Sequence, residues 1–344
     1  MFFRRRGRGR APKQAGTDGE QRAPALTARI LHLQRLSTED GPGIRTTVFF
    51  KGCPLACRWC HNPESISPQP QVQWLEDRCV GYGTCVTACP HGCLELTPQG
   101  MEIDRECCTG CGACARTCPA LALEYLGREV EVEALVTEVL KDRTYFATSG
   151  GGVTVSGGEP TLQARFVATF LRRLQQEGMR TALDTCGFAA PAALAAILPY
   201  TDLVLFDLKE IDPQRHRDFT GASNERVLDN LLFVRDHLLR ISERAPAARL
   251  WIRTPLIPGA TATRENLEGL GAFLAAHFVG GIERWELCAF NNLCRDKYRR
   301  LDLAWDFAET PLMTAAALEE AAGWAQGSGV DPEIVVVTGA TQSE

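Results

Sequence analysis

The strand-forming segment "RTTVFFKG" (45–52) is not followed by its helix. The first amphipathic helical pattern after it, "VEVEALVTEVLKDRTYF", begins only near residue 130. Much of the gap, roughly residues 71–122, is rich in cysteine, glycine and proline and has little apolar periodicity. Such a segment should be held by ligands rather than by a core, so 71–122 reads as an inserted domain.

From residue 130 onward short apolar runs alternate with amphipathic stretches. "VTVSGG" (153–158) reads as a strand ending in glycines, followed by a helix with Leu162, Phe166, Phe170 and Leu174 on one face and Gly178 near its end. "TALDT" (181–185), "DLVLFDLK" (202–209), "RLWIRTPLI" (249–257) and "RWELCAF" (284–290) follow, the later ones separated by amphipathic segments. With 45–52 these make six strand-plus-helix units, which predicts an α/β fold with a parallel sheet and right-handed crossovers. Six units suit an open, partial (β/α)6 barrel better than a closed eight-stranded one. The expected layout is a barrel from 27–70 and 123–344, the insert at 71–122, and a tail at 1–26.

The chain has 344 residues, 45% of them apolar, which suffices for one large domain and a smaller appended module. No apolar run approaches a membrane span, and a formal net charge of −5 argues against general nucleic-acid binding. The charge is uneven: residues 1–25 hold seven basic and two acidic residues. This tail has no periodic apolar pattern and is expected to be a disordered, solvated extension or the product of an upstream start codon. It lacks the apolar middle of a secretory signal, whereas its first 13 residues alone leave a transit peptide open, as they do a docking arm.

Fifteen cysteines at metal-like spacings in a long chain favour a reducing, cytoplasmic compartment and metal or cluster ligation over disulfides. Within the insert, Cys108-x2-Cys111-x2-Cys114-x3-Cys118-Pro119 is the bacterial ferredoxin run, in which the cysteine before proline usually reaches the other cluster. A structural zinc site would not require that spacing or the trailing proline. Cys107 is out of register and is not expected to ligate. The first half reads Cys79-x5-Cys85-x3-Cys89-Pro90-x2-Cys93, with Tyr82 in the place of the second ligand. Either this site is incomplete or Cys93 supplies the missing thiolate; the second reading is preferred because it gives Cys93 a task. With crossed ligation, Cys89 joins Cys108, Cys111 and Cys114, while Cys118 joins Cys79, Cys85 and Cys93. Two [4Fe–4S] clusters are expected here.

Cys53-x3-Cys57-x2-Cys60 lies just past the end of the first predicted strand, where barrel active sites gather. Three thiolates on a four-iron cube leave one iron open, as a catalytic zinc keeps one position free. This motif, with Trp59 before its last cysteine, resembles the radical S-adenosylmethionine superfamily. "DGPGIRTTVFFKGC" (40–53), "SGGGVTVSGGEP" (149–160), "LDTCGF" (183–188), "DLVLFDLK" (202–209) and "WIRTPLIPG" (251–259) narrow it to the activating enzymes of glycyl radical enzymes. The resemblance runs from about residue 28 to 340, and the insert is similar to that of the subgroup serving glycyl radical lyases, decarboxylases and dehydratases.

The resemblance implies a third [4Fe–4S] cluster on Cys53, Cys57 and Cys60, its open iron chelating S-adenosylmethionine. Trp59 and His61 would flank that cosubstrate, Gly157 and Gly158 would allow close backbone approach, and Glu159 would accept a hydrogen bond from its ammonium. Asp184, Asp207, Lys209 and Arg253, near successive strand ends, would serve ribose, carboxylate or a monovalent cation; singly, each could be half of an ordinary ion pair. Asp40 would lie near the substrate glycine, or simply form its turn. In "ELCAFNNLCRDKY" (286–298), Asn291 stands where the family commonly has histidine, and its amide can still hydrogen-bond adenosine. Cys186, Cys288 and Cys294 read as buried thiols rather than ligands.

The implied activity is reductive cleavage of S-adenosylmethionine to a 5′-deoxyadenosyl radical, which takes a hydrogen atom from a backbone glycine of a partner glycyl radical enzyme. A flavodoxin or ferredoxin-type protein would supply the electron. An iron–sulfur electron carrier would account for the insert but not for the three-cysteine motif. A radical enzyme acting on a small molecule is the remaining alternative.

Overall fold

Arg45–Phe50 is buried at all six positions, so this strand has to be covered on both faces. The computed structural model describes residues 25–242 and 249–342, which leaves nearly all of the basic tail expected at 1–26 outside the described residues. The main sheet comprises β1 (Thr27–Ser37), β2 (Arg45–Phe50), β3 (Arg128–Glu131), β4 (Gly152–Gly157), β5 (Thr181–Thr185), β6 (Leu203–Asp207), β7 (Arg249–Leu256), β8 (Arg284–Ala289) and β9 (Val335–Thr338). Their order is β9-β8-β7-β6-β5-β4-β2-β1-β3. From β2 through β4 to β9 every neighbouring pair is parallel. The antiparallel β1 joins β2 to β3 at the other edge.

The six predicted strands are therefore present and parallel, adjacent to one another in chain order, but the sheet is larger. The addition at one edge is β9, whose four residues are too few to show a period. At the other edge β1 and β3 pair antiparallel. Helices Ala164–Gln176, Pro191–Ile197, Glu225–Ser242, Arg264–His277 and Ala315–Gln326 occupy the successive crossovers from β4 to β9. Phe166, Phe170, Leu174, Leu194, Leu231 and Leu270 share one core with Val48, Phe50, Val155, Leu183, Phe206, Ile252 and Trp285 from the strands. Leu162 is exposed, because the helix proper starts after a 3-10 turn at Pro160–Gln163. No helix among the described residues is long and apolar enough to cross a membrane.

The insert repeats one pattern twice. Gln71–Trp74, the helix Thr84–Ala88 and Leu94–Thr97 are followed by Gly100–Ile103, the helix Ala113–Thr117 and Leu123–Leu126. The outer strands pair with each other and the inner strands form a hairpin. Because Leu123–Leu126 pairs with Gln71–Trp74, the unit extends past the expected boundary at 122. It also has a small core, built from Val72, Leu94, Met101, Ile103 and Leu123 with the thiols of Cys85 and Cys114. The apolar residues sit on very short strands, which is why no periodicity announces them.

Two buried asparagines fix the loops at the carboxyl rim of the sheet. The Asn230 amide donates to the carbonyls of Gly187 (2.8 Å) and Ala189 (2.9 Å) after β5. Asn266 donates to the carbonyls of Lys209 (3.0 Å) and Thr261 (2.9 Å) and accepts from the Ile211 amide (2.8 Å). Replacing Asn266 by alanine would leave three backbone groups without this partner, two of them in buried hydrogen bonds. Asn266→Ala should therefore lower unfolding free energy by roughly 2–4 kcal/mol, read from the urea midpoint at unchanged slope.

Candidate active site

Parallel strands that end together present their loops at one rim, and a ligand crevice belongs there. A cavity of about 460 Å³ opens at this rim. Cys53, Cys57 and Cys60 line it together with Trp59, His61, Gly157, Gly158, Asp184, Asp207, Lys209, Arg253 and Asn291. Sequence segments spread over some 240 residues thus converge on one wall. Glu39, Asn62, Ser156, Cys186, Cys288, Phe290 and Thr338 line the cavity as well. Of these, Cys186 and Cys288 read as buried thiols from the sequence, and the charge of Glu39 beside Asp40 was the other visible cue.

The cysteine loop is held by backbone from several directions. The amides of Gly52 and Cys53 donate to the carbonyls of Ser65 (2.7 Å) and Ile66 (3.0 Å), and those of Ala56 and Arg58 to Thr220 (2.8 Å) and Phe219 (3.0 Å). A clamp closes over it from the segment after β8. The Tyr298 hydroxyl donates to the Cys60 carbonyl (2.9 Å), the Trp305 indole to Arg58 (3.1 Å), and Lys297 Nζ to His61 (3.0 Å) and to Asn62 Oδ1 (2.7 Å). Lys297 also pairs with the buried Glu64 at 2.8 Å. Trp59 packs into this cluster against Phe219.

Gly157 and Gly158 are required for a reason other than ligand approach. Gly157 has φ +110°, and a Cβ there would lie 2.4 Å from the Phe50 amide. A Cβ on Gly158 would lie 2.2 Å from the Gly52 carbonyl oxygen. The glycines bring the end of β4 against the end of β2, where the cysteine loop begins.

Glu159 departs from its expected role. Its carboxylate is fully buried, is absent from the cavity wall, and accepts from Thr161 N (3.1 Å), Thr185 Oγ1 (2.9 Å) and Cys186 N (2.8 Å). A buried carboxylate must find donors, and here they come from the protein. It caps the turn at Pro160–Gln163 and ties β4 to the end of β5. Asp40 also turns inward: Ser37 and Thr47 hydroxyls each donate to it at 2.6 Å, which fastens the β1–β2 connection, and it does not line the cavity. Its neighbour Glu39 faces the cavity instead.

The charged wall is a network. Lys209 Nζ donates to Asp207 at 2.5 Å. Arg253 lies 3.7 Å from Asp184 and 3.3 Å from Glu286, a carboxylate that sequence reading did not single out. The Ser156 hydroxyl donates to Asp184 at 2.6 Å. Burial drives the Asp184 pKa up to about 7; Arg253 opposes this and Asp207 adds to it. Burial also lowers the His61 pKa, so its ring is neutral near pH 7.

The three thiols suit a cationic cofactor. Burial pushes Cys57 up to about 11, and burial followed by repulsion from Cys57 raises Cys60 further. Cys53 is lowered by a hydrogen bond from Cys186. Three half-buried thiols facing one cavity form a soft donor set of the kind that iron takes. Among the described residues no group of three or more His, Cys, Asp or Glu could hold a single metal ion. A cluster instead takes each thiolate on a different iron.

In the insert the cysteines divide between two pockets. Cys89, Cys108, Cys111 and Cys114 line one, and Cys79, Cys85 and Cys118 line the other. Cys89 thus lies with the cysteines of the second half and Cys118 with those of the first. Cys93 borders the first pocket and is joined to Cys107 in a disulfide. It lies on the wrong side to complete the set of Cys79, Cys85 and Cys118, so its assignment as their fourth ligand is corrected.

Asp184 holds its proton more tightly folded than unfolded. The stability this contributes is present at low pH and is lost as pH rises from about 4 to about 7. The stability difference between the unloaded wild-type chain and Asp184→Asn should shrink over this range by at most ~1.4 kcal/mol per pH unit, measured by urea denaturation.

A family model described as a 4Fe-4S single cluster domain matches residues 39–228. The (2S)-3-sulfopropanediol dehydratase activating enzyme of Klebsiella oxytoca is 38% identical over 80% of this chain and 86% of its own length. The trans-4-hydroxy-L-proline dehydratase activating enzyme of Clostridioides difficile is 38% identical over 85% of this chain and 93% of its own. The pyruvate formate-lyase 2-activating enzyme of Escherichia coli (strain K12) is 37% identical over 88% and 91%. With this site and these relatives, the chain belongs to the glycyl radical enzyme activating enzymes of the radical S-adenosylmethionine family.

Proposed function

We propose that the three-cysteine cavity is where this activating enzyme generates its radical, and that a partner glycyl radical enzyme is its protein substrate. The observation that carries this is the convergence of Cys53, Cys57 and Cys60 with a charged strand-end network on one cavity of about 460 Å³. That volume is of the size that holds a nucleoside-sized cosubstrate. When bound, a [4Fe–4S] cluster and S-adenosylmethionine supply the electron and the 5′-deoxyadenosyl radical that removes a hydrogen atom from a backbone glycine.

The residues of the chain place and shield. Cys53, Cys57 and Cys60 hold the cluster, and the clamp from Lys297, Tyr298 and Trp305 keeps their loop rigid. Lys209, with its charge retained by Asp207 at 2.5 Å, faces the cavity and can pair with a carboxylate. Asp184, Asp207 and Arg253 offer acceptors and donors for hydroxyl and amino groups, and a monovalent cation would be held among the same carboxylates. Trp59, His61 and Asn291 form the remaining wall, the imidazole neutral and the amide able both to give and to accept. Glu159 contributes from outside the wall, by fixing Thr185 and Cys186. In the insert, Cys89, Cys108, Cys111 and Cys114 would hold a [4Fe–4S] cluster, and Cys79, Cys85 and Cys118 a second one. Those clusters and an external flavodoxin or ferredoxin would form the electron supply. An electron carrier alone would leave the large cavity without a task.

Anaerobic incubation of the reconstituted enzyme with S-adenosylmethionine and dithionite should release 5′-deoxyadenosine. Cys57→Ala should reduce the rate to background, a loss of at least about 10³-fold; undiminished cleavage would sink the assignment. With the correct partner, a glycyl radical signal should appear by electron paramagnetic resonance only when the enzyme, S-adenosylmethionine and the reductant are all added.

A further inference from the structure

The two halves of the insert allow a position-by-position comparison. Laying Cys79 on Cys108 brings Cys85 onto Cys114, Cys89 onto Cys118, and Gly83 onto Gly112. Gly83 and Gly112 are both left-handed, with φ of 79° and 70°, and both begin the short helix of their half. Cys89 and Cys118 both end it, with ψ of 113° and 110°. The backbone amide of Cys93 donates to Cys89 Sγ at 3.4 Å, as that of Ala122 donates to Cys118 Sγ at 3.2 Å. Cys93 thus occupies the place of an alanine, and its thiol has no counterpart in the other half. The counterpart of Cys111 is Tyr82.

Tyr82 borders the pocket of Cys79, Cys85 and Cys118, yet it is 71% exposed. Around it the surface is open: Val80 is 74% exposed, and a Cβ added at Gly81 or Gly83 would meet nothing within 4 Å. This pocket is thus lined by three thiols, and Tyr82, in the place of the fourth, lies at the exposed surface.

We infer that the cluster on Cys79, Cys85 and Cys118 is bound through three protein thiolates only, its fourth iron facing solvent at Tyr82 and exchangeable. The inference rests on the reading that the insert holds clusters. That iron would carry water, hydroxide or a small thiol. Oxidation by ferricyanide would then take one electron from the [4Fe–4S]2+ core, release one Fe2+ and leave a [3Fe–4S]+ core. The second insert cluster, with four thiolates, would not respond in this way.

The barrel cluster also has three cysteines, so the test uses the full-length Cys53→Ala/Cys57→Ala/Cys60→Ala variant, reconstituted anaerobically and titrated with ferricyanide. About one iron per chain should be released, with the narrow, nearly isotropic paramagnetic signal of a three-iron cluster. Adding Tyr82→Cys should suppress both the release and the signal. Adding Tyr82→Phe or Cys93→Ser should change neither. Absence of the signal, or its persistence with Tyr82→Cys, would overturn the inference. A spectrum altered by Tyr82→Phe would make the phenol a ligand, and one altered by Cys93→Ser would restore that thiol as the fourth ligand; either overturns it. A variant that binds no iron would overturn the cluster reading of the insert, while 5′-deoxyadenosine release by the wild-type enzyme tests the activity separately.

Discussion

Everything at the carboxyl rim depends on how closely the ends of β2 and β4 approach. The Gly158 amide donates to Phe50 (2.9 Å) and the Glu159 amide to Gly52 (2.8 Å), so the parallel ladder continues past the strands into the loops. Only a chain without side chains at 157 and 158 can come this near. The contact seats the first residue of the cysteine loop against the start of the Pro160–Gln163 turn. Both walls of the cavity are then fixed relative to each other before any cofactor is bound. Strand pairing thus does at this rim what a disulfide or an added helix would do elsewhere.

The second support is polar and buried. Glu159, Asn230 and Asn266 each satisfy several backbone or hydroxyl groups, and each ties one strand-end loop to an element that is distant in sequence. Networks of this kind are costly when half satisfied and rigid when complete. The charged residues of the cavity wall inherit that rigidity. Asp184 and Arg253 can face each other on the cavity wall because their strands are held in register.

Much of the fold was legible because parallel strands buried on both faces leave continuous apolar runs, and the six that were long enough were read. Strand β9 and the insert strands are too short for a period. The cysteine positions were legible because cluster ligation demands spacing, and spacing survives without knowledge of contacts. What was not legible was direction. Glu159 and Asp40 lie in the right turns, but nothing local says which way a carboxylate points; donors contributed by Thr185, Cys186 and Thr47 decide that. Cys93 misled for a related reason. Nearness in sequence to three ligands made it a candidate, whereas the repeat puts it over the other pocket, beside Cys107.

Arg105 gives the clamp over the cysteine loop a second meaning. From the insert it reaches the Asp302 carboxylate at 2.8 Å and the Arg300 carbonyl at 2.8 Å. Residues 297–305 therefore hold the three-cysteine loop with one side and the cysteine-rich insert with the other. A displacement of the insert would pull on the same short stretch of chain that holds the Cys60 carbonyl. The two cysteine-rich regions share no strand and no core, yet they hang from a common bracket.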